Sequence, residues 1–217
     1  MKKIKFNKLY AWFEMMILDH GFLRLIYHNF HKIDKNLYRS NMPTPLRIKK
    51  YKALGIKTII NLRGAKKDGG WLLENDACKK HGLRLINLVA RSRGAPEKDM
   101  IKKANKVFKS IQYPALIHCK SGADRAGIVA ALYKILHCQQ EPQIAKKQLS
   151  LKYLHVKWAK TGILDKFINE YERYFLKNKN PNFLKWVKNH YDPSKLEKDF
   201  KENKLMDKIV FKIFRRE

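Results

Sequence analysis

Cysteine, acidic residues and long apolar runs are all scarce in this chain of 217 residues. The three cysteines, Cys78, Cys119 and Cys138, form no Cys-x-x-Cys pair, which argues against a disulfide framework and indicates a reducing compartment. No group of histidines, cysteines and aspartates has the spacing of metal ligands, so we expect neither a metal ion nor another cofactor.

No apolar run is long enough to cross a bilayer. Residues 9–18 superficially resemble a signal peptide, but Glu14 interrupts the run, Asp19 and His20 end it, and no small-residue cleavage site follows. We therefore expect a cytoplasmic protein whose N-terminal segment is a packed helix. Attachment of that helix to the surface of a membrane is the alternative.

Acidic residues are outnumbered, because 19 aspartates and glutamates stand against 48 lysines and arginines, a formal net charge of +29. A solvated, lysine-rich surface accounts for this excess. The alternative is attraction to an anionic partner, namely a membrane surface, a nucleic acid or a polyphosphorylated substrate. No basic run alternates with aromatic residues, which argues against a nucleic-acid partner. The sequence indicates no particular oligomeric state.

The most informative segment reads His118-Cys119-Lys120-Ser121-Gly122-Ala123-Asp124-Arg125-Ala126-Gly127. An apolar run at 115–117 precedes it and a helix-like run at 126–138 follows it, so the segment is predicted to turn from a strand into a helix. The backbone N–H groups of such a turn, together with the N-terminus of the helix, bind phosphate. Gly122 permits the turn where a side chain would collide.

The side chains of this loop suit phosphate transfer. Cys119, as a thiolate stabilised by the same donors, is predicted to attack phosphorus and to form a phosphocysteine. Arg125 can hold two phosphate oxygens with its planar guanidinium, so no metal is needed. His118 is predicted to orient the loop. The predicted phosphate-binding residues are Lys120, Ser121, Gly122, Ala123, Asp124 and Arg125.

These ten residues resemble the signature of the cysteine-dependent protein tyrosine and dual-specificity phosphatase superfamily. Residues 37–43 and 54–63 are similar to the opening of compact bacterial dual-specificity-like phosphatases, and the resemblance spans residues 36–175. It implies an α/β fold with a central, mostly parallel sheet flanked by helices. It also implies a hydrolase acting on phosphotyrosine, phosphoserine or phosphothreonine of proteins, or on lipid or inositol phosphates.

The general acid departs from the pattern of this superfamily. Its members usually carry an aspartate on a mobile loop after the strand that matches residues 83–89, but residues 90–96 hold no carboxylate. Glu97 and Asp99 follow and are interpreted as capping the next helix. Asp124 is the better candidate, because some phosphoinositide-directed relatives carry an aspartate just before the loop arginine. A structural carboxylate paired with an arginine or a backbone N–H group is the alternative.

Ala126 is the second departure, because the superfamily usually has serine or threonine there, with a hydroxyl that eases departure of the thiolate. Hydrolysis of the phosphocysteine is therefore expected to be slow, or to be assisted by another group. Lys120, Arg91 and Arg93 indicate a multiply charged substrate, with Arg93 supporting the site; solvated rim charges are the alternative. The competing function is a catalytically weak module that reads phosphate and docks to anionic partners or membrane.

One phosphatase domain is expected at residues 36–176, between a helical N-terminal extension at 1–35 and a basic helical C-terminal extension at 177–217. Alternating strands and helices predict the α/β layers of this domain. His155 is interpreted as a core or helix-end histidine. The predicted strands are 37–39, 56–62, 83–89 and 115–118, and the predicted helices are 45–54, 71–81, 97–111, 125–138, 142–150, 161–176, 183–190 and 193–214.

Overall fold

The computed structural model describes residues 7–179 and 181–201. Its five strands form one sheet in the order β1-β2-β5-β3-β4. The first pair is antiparallel and the other pairs are parallel, so the predicted mostly parallel α/β sheet is confirmed. The strands are β1 (His31–Lys32), β2 (Leu37–Ser40), β3 (Thr58–Asn61), β4 (Arg84–Asn87) and β5 (Ala115–His118).

Strand β1 lies within the segment that was predicted to be a helical extension, and the prediction is wrong there. The cause is a turn at Asp34, whose carboxylate accepts the backbone N–H groups of Asn36 at 2.8 Å and Leu37 at 3.0 Å. This turn reverses the chain, so that His31 pairs with Arg39 of β2.

The described helices agree in order with the predicted ones, but two are shorter. The helix predicted over 142–150 ends at Lys146, and the helix predicted over 193–214 ends at Lys198 with residues 199–201 non-helical; residues 202–217 lie outside the described part. The α-helices are α1 (Lys8–Phe13), α2 (Leu23–Ile26), α3 (Pro45–Ala53), α4 (Gly69–Lys80), α5 (Lys98–Ser110), α6 (Asp124–Leu136), α7 (Pro142–Lys146), α8 (Ile163–Lys177), α9 (Phe183–Asn189) and α10 (Pro193–Lys198). A π-helix spans Glu14–Leu18, and 3-10 turns span Leu151–Tyr153 and Lys160–Gly162. None of the described helices is long and apolar enough to cross a membrane.

Helix α3 has the ends that its sequence predicts. The Thr44 hydroxyl accepts the N–H group of Arg47, and Pro45 begins the helix. Gly55 follows with φ of +82°, a left-handed conformation that ends the helix and leads into β3.

The chain divides into two compact units. The first, residues 1–87 and 112–121, contains the whole sheet; the second consists of residues 88–111 and 122–217. The three-part division predicted from the sequence stays a prediction. The apolar core of the first unit comprises Ile48, Tyr51, Ile56, Ile59, Ala77, Cys78, Leu83 and Leu116.

An aromatic cluster forms much of the core of the second unit. Phe167 and Tyr171 project from α8, and Tyr191 follows α9. The ring of Tyr191 lies 4.8 Å from that of Phe167, and the ring of Phe183 lies 4.7 Å from that of Tyr171, centroid to centroid. These edge-to-face contacts pack the segment after residue 181 against α8.

Tyr191 also anchors the segment that precedes α5, because its buried hydroxyl donates to the carbonyl of Pro96 at 2.9 Å. Tyr191→Phe removes this donor and leaves the carbonyl without it, so we expect a loss of about 1–2 kcal/mol in the free energy of unfolding. Urea titration measures the loss. Tyr174→Phe, in a half-buried tyrosine of the same cluster, is the control. Equal stability of both variants would contradict the assignment.

Candidate active site

Strand β5 leads directly into the predicted phosphate loop. Every residue of β5 is buried, Cys119 follows with 3% of its surface exposed, and α6 begins at Asp124. Between them Gly122 has φ of +78°, a conformation that favours glycine. The predicted order of strand, turn and helix is therefore confirmed. The chain passes from the first unit to the second between Ser121 and Gly122.

The first half of the loop is held by its carbonyl groups. The backbone N–H of Met42 donates to the carbonyl of Lys120 at 3.2 Å, and the side-chain amide of Asn29 donates to the carbonyl of Ser121 at 2.9 Å. The carbonyl and the N–H of one trans peptide point in opposite directions. The N–H groups of Ser121 and Gly122 therefore face away from these two donors.

His118, at the end of β5, belongs to a buried polar network. Its Nε2 lies 2.5 Å from Oε1 of Glu74, and Oε2 of Glu74 accepts from the side-chain amide of Asn61 at 2.8 Å. The Asn61 oxygen in turn accepts the backbone N–H of Arg63. This network ties the ends of β3 and β5 to α4. The supporting role of His118 stays a prediction, and Glu74 was missed although it shares a buried helix face with Leu73.

Asp19 gathers three cations in the first unit. Its carboxylate lies 3.0 Å from Nη1 of Arg24, 3.2 Å from Nη1 of Arg63 and 3.1 Å from Nζ of Lys120. Arg63 also reaches Asp68 at 3.4 Å. Burial alone would raise the pKa of Asp19, but the charges of Arg63, Arg24 and Lys120 outweigh it and hold that pKa below its usual value of 3.8.

This cluster places Lys120, a predicted phosphate-binding residue, beside a carboxylate of the N-terminal extension. Asp19 was predicted only to mark the end of an apolar run, so its role in the cluster was missed. Arg24 and Arg63 were also missed, since nothing in their spacing from Lys120 indicates that the three converge. Three cations face two carboxylates, Asp19 and Asp68, so the cluster keeps a net positive charge beside Lys120.

In the second unit, Asp124 at the start of α6 is paired with a histidine. Its Oδ1 lies 2.8 Å from Nδ1 of His155, and Nε2 of His155 lies 2.7 Å from Oδ2 of Asp165 on α8. The His155 side chain is wholly buried. Burial opposes its charge, but hydrogen bonds to both aspartates outweigh burial and raise the pKa of His155 to about 9. His155 is buried as expected, yet its bridging position was not predicted.

Arg91, in the segment before α5, is paired with two glutamates. Nη1 of Arg91 lies 2.9 Å from both Glu97 and Glu197, and the backbone N–H of Ala95 donates to Glu197 at 3.0 Å. Glu97 occupies the N-cap position of α5 without a capping hydrogen bond, because its carboxylate is turned to Arg91; the capping interpretation is wrong for its side chain. Asp99 lies in the first turn, as predicted.

Arg93 lines a cavity of about 340 Å³ within the second unit. Its neighbours in the lining include Lys160 and Glu197. The role of Arg93 as a supporting residue of the site stays a prediction.

Residues 31–161 match the family described as "DSP-PTPase phosphatase fused to NAD+ Kinase", which is more than half of the chain. The chain belongs to this family. It is a cysteine-dependent phosphatase of the tyrosine and dual-specificity type, and the resemblance predicted from the loop is confirmed.

Two curated proteins are similar to this phosphatase. The putative tyrosine-protein phosphatase OCA1 of Mycosarcoma maydis is 27% identical over 113 residues, which cover 50% of this chain and 70% of OCA1. The dual specificity protein phosphatase TpbA of Pseudomonas aeruginosa is 24% identical over 126 residues, covering 56% of this chain and 53% of TpbA. The chain thus spans about half the length of TpbA.

Solved structures support the fold of the phosphatase. The crystal structure of P. aeruginosa TpbA has a TM-score of 0.52 at 19% identity, covering 70% of this chain and 92% of that one. The core catalytic domain of the PP-IP phosphatase SIW14 from S. cerevisiae also has a TM-score of 0.52, at 18% identity, covering 70% and 93%.

None of the three cysteines of the phosphatase forms a disulfide. Cys78 lies in the apolar core of the first unit, where burial, and secondarily Glu74, raise the pKa of its thiol. It is therefore an unreactive core group rather than a second nucleophile. Within residues 7–179 and 181–201, no three or more histidines, cysteines and acidic residues are grouped so that they could hold a metal ion.

Replacing Asp19 tests the charge cluster. Asp19→Asn leaves Arg24 and Arg63 buried without their shared carboxylate, so we expect a loss of about 2–3 kcal/mol in the free energy of unfolding at neutral pH. Because the pKa of Asp19 is lowered on folding, its contribution is present above pH 3.8 and is lost as the pH falls through the folded value. Urea titrations at pH 7 and at acid pH measure both effects.

Asp76→Asn is the matched control, because Asp76 pairs with Lys8 on an exposed surface of the same unit, where ion pairs contribute little. If Asp19→Asn were no less stable than this control at pH 7, the cluster would not be a stabilising element.

Proposed function

We propose that this protein is a metal-independent phosphatase that hydrolyses phosphomonoesters through a phosphocysteine on Cys119. The observation that supports this most strongly is the turn after β5. The carbonyls of Lys120 and Ser121 are tied to Met42 and Asn29, so that the following N–H groups face the other way. A buried cysteine at the base of such a turn is proposed to receive N–H donors from it that stabilise the thiolate.

In the first step, Sγ of Cys119 attacks phosphorus and the bond to the leaving oxygen breaks. The electron pair of that bond goes to the leaving oxygen, which takes a proton from Asp124. Arg125 and the loop N–H groups stabilise the charge on the equatorial oxygens of the phosphoryl group. Asp124 is preferred to Glu97 and Asp99 because it lies within the loop, directly before Arg125, whereas the other two carboxylates lie at the start of α5.

In the second step, water attacks the phosphocysteine and returns the electron pair of the S–P bond to Cys119. Asp124, now a carboxylate, accepts the proton of the attacking water. Ala126 has no hydroxyl to assist departure of the thiolate, and it is fully buried. This step is therefore the slower of the two.

The substrate is proposed to be a phosphorylated protein side chain or a lipid or inositol phosphate. A variant of TpbA has been crystallised in complex with pTyr, and SIW14 is a PP-IP phosphatase. Arg24, Arg63 and Lys120 outnumber the two carboxylates that pair with them, Asp19 and Asp68, and this net positive charge beside Lys120 favours an anionic substrate.

The nucleophile is tested with 4-nitrophenyl phosphate in the presence of a chelator. Cys119→Ser is expected to reduce turnover to the uncatalysed rate while the variant still binds phosphate, because the hydroxyl is a far weaker nucleophile than the thiolate. Cys138→Ser, at a half-buried cysteine, is the control and is expected to keep full activity. Binding of phosphate without turnover by the wild type would instead support a phosphate-reading module.

The slow second step predicts burst kinetics. We expect the wild type to release one equivalent of nitrophenol rapidly and then to turn over slowly, as the phosphocysteine accumulates. Ala126→Ser supplies the missing hydroxyl within the volume of a small side chain and is expected to raise the steady-state rate and reduce the burst. Stopped-flow absorbance measures both phases. A wild type without a burst, unchanged by the substitution, would contradict a rate-limiting second step.

A further inference from the structure

His155 lies between two carboxylates, and neither the loop signature nor the family match assigns a role to it. Nδ1 faces Asp124 at 2.8 Å and Nε2 faces Asp165 at 2.7 Å. Asp124 begins α6, Asp165 lies in the first turn of α8, and the backbone N–H of His155 donates to the carbonyl of Ser150 at 3.1 Å. The ring is therefore held at both of its nitrogens, and the backbone of His155 is held as well. We call Asp124, His155 and Asp165 the proton trio.

The geometry determines how many protons the trio carries. A neutral imidazole has one N–H group, so one of its two nitrogens would confront a carboxylate oxygen with a lone pair. Both contacts are hydrogen bonds only if a second proton lies between the ring and an aspartate. On the Asp124 side, this proton belongs either to Nδ1 of His155 or to Oδ1 of Asp124, and the two forms have the same net charge.

Burial makes this arrangement stable over a wide pH range. The side chain of His155 is wholly buried, while those of Asp124 and Asp165 are 5% and 14% exposed. The charged groups that face the ring are these two carboxylates, and each aspartate is followed in sequence by a cation, Arg125 or Lys166. The raised pKa of His155, about 9, means that the second proton is retained at neutral pH. An isolated aspartate would have lost its proton at about pH 4.

We propose that His155 and Asp165 are positioning residues that keep a transferable proton at Asp124, which donates it to the leaving oxygen and recovers it from the attacking water. The inference rests on the proposed function, in which Asp124 is the acid. After the first step the trio holds a neutral imidazole and two carboxylates. The proton of the attacking water then restores the original state, so that the cycle balances without a cofactor.

The two carboxylates cannot converge on one metal ion, because they bind opposite edges of the His155 ring. This separates the proton trio from a metal site. The trio also explains how the enzyme can protonate a leaving group at neutral pH although residues 90–96, before α5, hold no carboxylate. The chemistry extends to poor leaving groups, such as the alkoxides of serine, threonine or inositol phosphates, for which protonation matters most.

The test compares kcat/KM for phenyl phosphate and 4-nitrophenyl phosphate across pH, since kcat/KM reports the first step. His155→Gln and Asp165→Asn remove the transferable proton or lower its retention. We expect the poor leaving group, phenol, to lose at least about tenfold more than nitrophenol, and the alkaline limb to move to lower pH. Glu172 lies on the same helix as Asp165 and pairs with Lys146. Glu172→Gln breaks this pair and is the control; it is expected to change neither the ratio of the two substrates' kcat/KM values nor the position of the alkaline limb.

Equal losses with both substrates and an unmoved alkaline limb would mean that the trio only braces α6 against α8, which would overturn the proposal. If His155→Gln fails to fold, Asp165→Asn carries the test, because Asp165 is partly exposed. Nuclear magnetic resonance titration of the His155 ring gives a readout besides activity. A His155 pKa near 9 in the wild type that is lower in Asp165→Asn supports the retained proton. A pKa of about 6.5 in the wild type overturns the proposal.

Failure of the proposed function is distinguishable from failure of this inference. If Cys119→Ser retained turnover, the phosphocysteine mechanism would fail whatever the trio does. If Cys119→Ser abolishes turnover but His155→Gln slows the two substrates equally, the phosphocysteine mechanism is supported and the proposed role of the proton trio is rejected.

Discussion

Asp19 supplies the negative charge that lets three cations of the first unit lie close together. Arg24 and Arg63 are almost fully buried, and Lys120 is part of the phosphate loop itself. Positive charges collected for an anion repel one another and are costly to remove from water. One shared carboxylate offsets both costs. The position of the Lys120 side chain therefore depends on Asp19, while its carbonyl is held by the backbone N–H of Met42.

The second unit contains the opposite arrangement of buried charges. There a buried cation, His155, is held by two carboxylates, and one of them begins the helix that follows the loop. In the first unit one carboxylate holds three cations together, and in the second one histidine lies between two carboxylates. The two halves of a ten-residue signature thus receive separate support from segments far from it in the sequence.

Local patterns made most of the fold predictable. A β-branched run marked β3, an apolar run marked β5, and the cap at Thr44 with Gly55 marked α3, because each signal acts over a few residues. The strand at His31–Lys32 was missed because two residues carry no periodicity, and only the turn at Asp34 brings them to β2.

In the site, the loop itself was predictable because its residues are consecutive. Asp19 and His155 were not, because their partners in the loop, Lys120 and Asp124, lie far away along the chain. Glu74 was missed because its role depends on which face of α4 is buried. No local signal encodes either kind of information.

The central claim is that Cys119 carries the phosphoryl group. Its most direct test is to mix the wild type with 4-nitrophenyl phosphate, quench in acid while the reaction is in progress, and map the modified peptide by mass spectrometry. The account predicts the mass increment of one phosphoryl group on the peptide that contains Cys119, and its absence from Cys119→Ser. A phosphoryl group on another residue, or turnover with no covalent intermediate, would contradict it.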